Sequence, residues 1–472
     1  MTDTAAPTLH GIRRLVTPLA VLCIAQFMLQ LDYAIVNVAL KPIQTDVGFS
    51  DVGLQWVVTG YALTFGSLLL LGGRLGDRTG RRRLLLFGLL VFGAASAVCA
   101  VAQSPAMLVG GRLVQGVGAA LVAPMVLAML TGVYSQGAAQ VRAIGIWAAA
   151  TAGGAMSGVV LGGLMSDWFG WRSIFIVNIP IIAALVPLAR AVLPEMRPEQ
   201  VRSLDIPGTA SITISLAALI FAMSSGEERG FGHPVTVGSL AIFAVLLAAF
   251  IAIELRAREP VVPFPFLVAP IRRTSVLAML VVGAVTGSYI YTVSLALRKI
   301  LDFSGTETSL KFIPGPVAMV FCSLFLSRRL IARFGMKPVL LLGLFILGAG
   351  QLWLAQLSAD SAYASGVLPA LFLTGGGAGL IVPTLTAAVT AGATPRERGL
   401  VGGLVPTAQQ IGAAVGIAVL ATIAASVSAN QGGDLAAGYA RSFLISVVLV
   451  ALAAILVAFT SFRPPEPEPE QA

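Results

Sequence analysis

The sequence predicts an all-α polytopic membrane protein, two six-helix bundles with two inserted helices between them. Three observations carry this. Of the 472 residues, 57% are hydrophobic and 11% charged, and the mean hydropathy is +0.91; a soluble chain carries about 25% charged residues. Apolar runs of the roughly 20 residues that a bilayer core demands recur along the whole chain. The basic residues, which give a net charge of +9, fall in short clusters between those runs and not in one patch, a pattern of membrane topology rather than of nucleic-acid binding.

Fourteen runs are read in order. The first, 16–40, follows Arg13 and Arg14 as a secretory leader would. It is too long for a leader's apolar core and contains Asp32 and Asn37, so it reads as a retained helix. Run 54–73 ends at an arginine-rich loop, and 84–104 begins after it. Runs 107–132, 143–165 (preceded by Arg142) and 173–193 (preceded by Trp171-Arg172) complete the first six. Run 209–225 is short, and 235–255 follows a Gly/Pro-rich loop. Run 274–297 ends at Arg298-Lys299, and 312–327 is again short. Runs 338–358, 366–391, 402–427 and 442–461 close the series. An even number places both termini on one side. With that side cytoplasmic, about three quarters of the 30 Lys and Arg fall on it, as the positive-inside rule requires. The resulting division is a tail at 1–15, a bundle at 16–194, two inserted helices with flanking loops at 195–273, a second bundle at 274–461, and a solvated Pro/Glu tail at 462–472.

Composition also excludes chemistry. Cys23, Cys99 and Cys322 lie inside apolar runs, too scattered for a disulfide framework or a zinc site. Two histidines, His10 and His233, give a histidine hydrolase or metal centre little to work with. No metal or cofactor is expected, and every loop is too short for a soluble domain.

The chain repeats itself. Arg74-Leu75-Gly76-Asp77-Arg78-Thr79-Gly80 is echoed by Arg329-Leu330-Ile331-Ala332-Arg333-Phe334-Gly335, Gly116-Val117-Gly118 by Gly377-Ala378-Gly379, and Arg142 by Arg398. The partners stand roughly 255–260 residues apart. That separation carries the second run onto the tenth, hence two six-helix halves around a two-helix insert. Parallel halves of this kind favour rocking about a midplane site, so transport is the leading expectation.

Four groups of residues carry candidate function. In Gly73-Arg74-Leu75-Gly76-Asp77-Arg78-Thr79-Gly80-Arg81-Arg82-Arg83, the topology accounts for the arginines but not for Asp77 or the spaced glycines. Glycines let helix ends approach, and Asp77 can accept from a neighbouring helix N-terminus or pair with an arginine, a latch that holds in one conformation. Asp32 lies deep within the first run, about 12 Å from its outer end, and Arg112 about 8 Å inside the fourth. The depths suit an ion pair or a water-bridged relay, and charges placed there are costly and usually functional. Gln26, Gln30, Tyr33 and Asn37 share a second face of the first helix, turned away from Asp32. With Trp56, Tyr61, Trp147 and Tyr289 they are candidates for a cavity wall. Gly154, Gly158, Gly162 and Gly163 place small residues at about every fourth position of the fifth run, where backbones can touch.

The arginine-rich loop resembles the G-x-x-x-D-R-x-G-R-R motif of the major facilitator superfamily, and fourteen runs narrow the likeness to the EmrB/QacA-type drug:proton antiporters. Further stretches are similar to that family's motifs: 31–40 in the first helix, Gln55-Trp56-Val57-Val58-Thr59-Gly60-Tyr61 at the start of the second, Arg112-Leu113-Val114-Gln115-Gly116 in the fourth, and 171–180 at the start of the sixth. The resemblance implies a monomeric exporter in the cytoplasmic (inner) membrane. It would move amphipathic drugs, antibiotics or natural products outward in exchange for protons by alternating access, with Asp32 and Arg112 coupling the proton. There are departures. The family's fifth-helix motif, G-x-x-x-G-P-x-x-G-G, has Val159 in place of proline; Lys41 intrudes between Leu40 and Pro42; and Arg298-Lys299 stand where a glutamine is common. A proton-independent facilitator or importer of a metabolite on the same fold is the main alternative. A membrane-embedded transferase or a non-transporting receptor lacks, respectively, an acid-rich metal site and a signalling domain.

Overall fold

Side-chain caps mark where helices begin. In the computed structural model, Ser50 accepts from the Gly53 N–H at 3.1 Å, Ser104 from Met107 at 3.3 Å, Asp205 from Gly208 at 3.0 Å and Asp434 from Ala436 at 2.9 Å. Each satisfies an N–H that the first helical turn leaves without a partner. The residues described are 9–134, 137–196, 205–230, 232–257, 266, 268–303, 305–358, 361–391, 397–430 and 434–462. Residues 1–8 of the expected N-terminal tail and 463–472 of the expected C-terminal tail lie outside them.

The first half comprises α1 (Leu9–Val47), α2 (Asp51–Thr79), α3 (Arg81–Ala100), α4 (Pro105–Val133), α5 (Gly137–Phe169), α6 (Ser173–Ile176) and α7 (Asn178–Val192). The insert is α8 (Ile206–Arg229) and α9 (Pro234–Glu254). The second half comprises α10 (Pro270–Lys299), α11 (Gly305–Phe312), α12 (Pro314–Phe321), α13 (Ser327–Phe334), α14 (Met336–Leu354), α15 (Leu368–Thr390), α16 (Arg398–Asn430) and α17 (Leu435–Phe459). No strand occurs among the described residues. Among the described residues, thirteen helical stretches are long and apolar enough to cross a membrane, and a shorter apolar stretch, Pro207–Met223, lies within α8.

Two expected runs are interrupted. The sixth breaks at Val177, three residues before Pro180, and the tenth breaks at Ile313 before Pro314, since proline removes a helical donor and crowds the preceding turn. The tenth also carries a π-turn, Cys322–Leu326, between α12 and α13. The arginine-rich segment is not the loop it was expected to be. Residues 73–79 are the end of α2, Arg81 begins α3, and the joint is Gly80 alone, at φ +101°, where glycine is favoured. Gly335, at φ +82°, joins α13 to α14 in the same way.

The halves pack alike. α5 lies along α1 and α16 along α10; α4 contacts α2 and α3, while α15 contacts α12 and α14; α3 meets α7 as α14 meets α17. The insert helix α8 rests against both α2 and α16, at the seam between the bundles. At the Asp77 end, one apolar cluster runs through both bundles, from Leu22, Leu85, Val126 and Ile144 to Val282, Leu385 and Val401. A hydrogen bond crosses there, Ser323 Oγ donating to the Gly145 carbonyl at 2.9 Å. At the opposite end the core is split. Ile35, Ile43, Phe49 and Trp171 form one cluster in the first bundle; Val293, Leu297, Leu371 and Phe443 form another in the second. The shared apolar core therefore lies at the Asp77 end, while at the other end each bundle keeps its own core and α11 touches α5.

Candidate functional site: a buried ion pair in the first bundle

Glycines set the position of α1, and with it the placement of Asp32. A Cβ on Gly154, Gly158 or Gly162 of α5 would run into the Phe27, Leu31 and Ile35 carbonyls of α1 respectively. Only bare backbone permits that approach. Gly163 is half-buried and off this face. With α5 occupying one side of α1, Asp32 turns the other way, towards α3, α4 and α7.

Asp32 and Arg112 are both fully buried and paired, Arg112 Nη1 donating to Asp32 Oδ2 at 2.7 Å. The other carboxylate oxygen, Oδ1, accepts from Gln115 Nε2 at 3.2 Å and from Asn178 Nδ2 at 2.7 Å. Arg112 also donates Nε to the Val57 carbonyl at 2.9 Å and Nη1 to Gln115 Oε1 at 2.8 Å. Its guanidinium lies 4.4 Å from the Tyr61 ring centroid and 5.9 Å from that of Phe175. Ser96 closes the network, accepting from Gln115 Nε2 at 2.7 Å and donating to the Phe92 carbonyl at 2.8 Å. Arg112 Nη2 and Asn178 Oδ1 have no hydrogen-bond partner.

This arrangement has a chemical consequence. Removing one charge of a buried pair normally leaves the other stranded at a cost of several kcal/mol. Here the guanidinium keeps a carbonyl, an amide oxygen and an aromatic face when the carboxylate is neutralised. The pair can therefore be unmade by a proton at lower cost than an isolated one.

Charge in an apolar run picked out Asp32 and Arg112. Gln115, Asn178 and Ser96 were not singled out, nor was the Val57 carbonyl. Gln115 stands three residues after Arg112, on the same helical face, and that spacing was a usable signal. Asn178 and Ser96 left only the weaker one of an uncharged polar residue in a span.

The remaining candidates are distributed as follows. Asp77 pairs with Arg81 at 2.7 Å, one turn away across Gly80. Arg82 donates to the Leu193 carbonyl at 3.0 Å, and its backbone N–H to Glu195 at 3.2 Å, which ties the start of α3 to the end of α7. Arg78 is exposed and Gly73 is buried within α2. Tyr61 rings with Tyr33 at 5.8 Å and with Phe65 at 5.7 Å. Gln30 packs on Gly154, and the Asn37 amide returns to its own helix at the Tyr33 carbonyl, 3.1 Å away. Trp56 meets Phe221 of the insert at 5.8 Å, and Tyr289 meets Phe312 at 5.6 Å. Gln26 Oε1, Trp147 Nε1 and the Tyr289 hydroxyl are buried without a hydrogen-bond partner. Lys41, Arg298 and Lys299 are exposed. Among the described residues no group of His, Cys, Asp and Glu is placed to hold a metal ion.

Comparison with known proteins agrees with this architecture. The sequence profile described as Major Facilitator Superfamily matches residues 22–417 and 275–472. The cephamycin export protein CmcT of Amycolatopsis lactamdurans is 35% identical over 457 residues, which is 95% of this chain and 94% of that protein. The puromycin resistance protein pur8 of Streptomyces alboniger is 35% identical over 403 residues, 84% and 79% of the two chains. The multidrug resistance protein Stp of Mycobacterium tuberculosis is 33% identical over 394 residues, 82% and 72%. The human organic anion transporter MFSD10 (TETRAN) shares the fold, with a TM-score of 0.66 and 18% identity over 93% of this chain and 99% of that one. The chain belongs to the major facilitator superfamily, among relatives named for antibiotic export and drug resistance.

Proposed function

We propose that the chain exports amphipathic antibiotics, drugs or natural products in exchange for protons, by alternating access across the cytoplasmic membrane. The observation that carries this reading is the Asp32–Arg112 pair, a charge pair with no exposure to solvent in the middle of a helical bundle, braced by Gln115 and Asn178. In this reading both termini are cytoplasmic, fourteen helices span the bilayer, and the chain works as a monomer. The bundles meet at the cytoplasmic end and the structure is outward-facing.

The cycle follows from the contacts. A proton from outside neutralises Asp32, and Arg112 falls back on Val57, Gln115 and Tyr61. Asp32 sits on the face of α1 opposite the glycine seam, so loss of its bond to α4 loosens α1 and α5 from α4 together. The Asp77–Arg81 pair and the anchors of Arg82 hold α2, α3 and α7 of the first bundle as one unit at the cytoplasmic end, and that end opens when the Ser323–Gly145 bridge and the shared core part. Substrate enters from the cytoplasm or inner leaflet. Gln26, Trp147 and Tyr289, each with a polar atom awaiting a partner, supply its hydrogen bonds, while Gln30, Tyr33, Asn37, Trp56 and Tyr61 complete the wall. Release of the proton to the cytoplasm restores the pair. The relatives' names make a cephamycin and puromycin the first compounds to try.

Inside-out vesicles test the reading. An exporter of this kind accumulates compound when the lumen is acidified and stops when the gradient is collapsed. Equal uptake with and without the gradient identifies a facilitator and overturns the exchange.

A further inference from the structure

The first bundle's charged site has a counterpart in the second, and the counterpart is neutral. Close glycine contacts fix the equivalence. A Cβ on Gly118 would strike Phe92 N and Gly88 O of α3; one on Gly377 would strike Leu347 N and Gly343 O of α14. Gly154 and Gly158 lie on the Phe27 and Leu31 carbonyls of α1 as Gly412 and Gly416 lie on the Leu280 and Ala284 carbonyls of α10. The structural partner of Gly118 is therefore Gly377, so the repeat in this helix runs two residues short of the sequence match with Gly379.

Carried across on these contacts, Ser96 corresponds to Gln351, Gln115 to Thr374, Asp32 to Val285 and Arg112 to Leu371. The hydrogen bonds agree: Gln115 Nε2 donates to Ser96 Oγ at 2.7 Å, and Gln351 Nε2 donates to Thr374 Oγ1 at 3.3 Å. Polar neighbours persist in both halves. The acid and the base do not, since Val285 and Leu371 are fully buried aliphatic residues. Asp32 itself is faced by Arg112 and Gln115 of α4, Asn178 of α7 and Ser96 of α3, with Tyr61 of α2 over the guanidinium and the Cys99 thiol of α3 on Gln115. None of these is a second carboxylate.

We infer that one proton moves per cycle and that the first bundle alone handles it. This rests on the proton-exchange reading above. The second bundle keeps a buried base, Arg272, but it is paired with Glu397 at 3.7 Å at the start of α10, away from Val285 and Leu371. Among the described residues, the buried acids are Asp32 and Glu254. Glu254 is the last residue of α9, in the insert and outside the repeat, near the Asp205 cap at Gly208.

The test counts titrating carboxyl groups and needs no substrate. The full chain carrying Glu254→Gln is placed in lipid nanodiscs and titrated with acid, and the C=O stretch of buried carboxylic acids, which lies above that of solvent-exposed ones, is followed by infrared difference spectroscopy. The expected band has the area of one carboxyl group and vanishes when Asp32→Asn is added. A band worth two groups, a band that survives Asp32→Asn, or no band at all overturns the inference. The exchange reading fails by a different result. Compound that equilibrates equally with and without a pH gradient in the unmutated protein, with the single Asp32 band present, removes the exchange and leaves the count of titrating carboxyl groups standing.

Discussion

Replacing Gly158 by alanine perturbs the ion pair without touching it. The added Cβ would sit 2.6 Å from the Leu31 carbonyl oxygen, 2.8 Å from the Ala34 Cβ and 3.0 Å from the Ile35 nitrogen. All three belong to the backbone or first side-chain atom of α1, so no rotamer change relieves them. Ordinary contact requires α1 to withdraw by roughly 0.5–1 Å, and overpacking of this kind costs about 1–3 kcal/mol. Asp32 is the neighbour of Leu31. A withdrawal of that size drives Asp32 into Arg112 and Asn178, which already stand at 2.7 Å, so the bonds must rearrange, and misplacement by about 1 Å can lower a rate by about 100-fold. The expected variant is folded, melts earlier in detergent and has lost most gradient-driven efflux. Gly153→Ala on the same helix is the control, because its nearest neighbour is Phe27 Cε2 at 3.9 Å. Gly158→Ala with the melting temperature and efflux of Gly153→Ala would refute the claim that this seam positions Asp32.

Two further outcomes follow from contacts outside the Asp32 site. Asp46, at the C-terminal end of α1, accepts from Trp171 Nε1 at 2.9 Å and from Arg172; the Trp171 bond first, and Arg172 second, hold its carboxyl below the ordinary carboxylate range. A lowered folded value stabilises the protein above the unfolded value, near 4, and that stabilisation is lost as pH falls through the folded value. The melting-temperature gap between wild type and Asp46→Asn is therefore expected at pH 7 and closes as the pH is brought below about 4; a gap independent of pH contradicts it. Ser323→Ala removes the hydrogen bond to Gly145 between the bundles and weakens the joined Asp77 end by about 0.5–1.5 kcal/mol. Accessibility of a cysteine placed at Ala128 of α4, which is buried facing Gly402 of α16, rises several-fold towards aqueous thiol reagents, and unchanged labelling opposes the assignment.

The parts of this architecture legible in sequence are those where one residue type has one physical meaning. Long apolar runs can only be buried or in lipid, so the helices were plain, and the glycine ladder at 154, 158 and 162 announced a close backbone approach. Asp32 and Arg112 stood out because a charge in such a run is expensive. Gln115, Asn178 and Ser96 did not, because an uncharged polar residue is tolerated in a span by bonding to its own helix, as Asn37 does with the Tyr33 carbonyl. Only tertiary packing decides which of these alternatives a side chain takes. Tyr61 illustrates the same limit: nothing in its span states that its ring covers the guanidinium of Arg112. The π-turn at Cys322–Leu326 and the one-residue joint at Gly80 are backbone adjustments that hydropathy does not register.

Asp32→Asn in proteoliposomes puts the central claim to its most direct test. The amide has the shape of the protonated acid, with one accepting oxygen and a donor in place of the second acceptor, but it cannot exchange a proton. The account predicts that the variant folds, binds compound and equilibrates it down its own gradient, yet accumulates none when a pH gradient is imposed. Uphill accumulation by Asp32→Asn at the wild-type rate would contradict it.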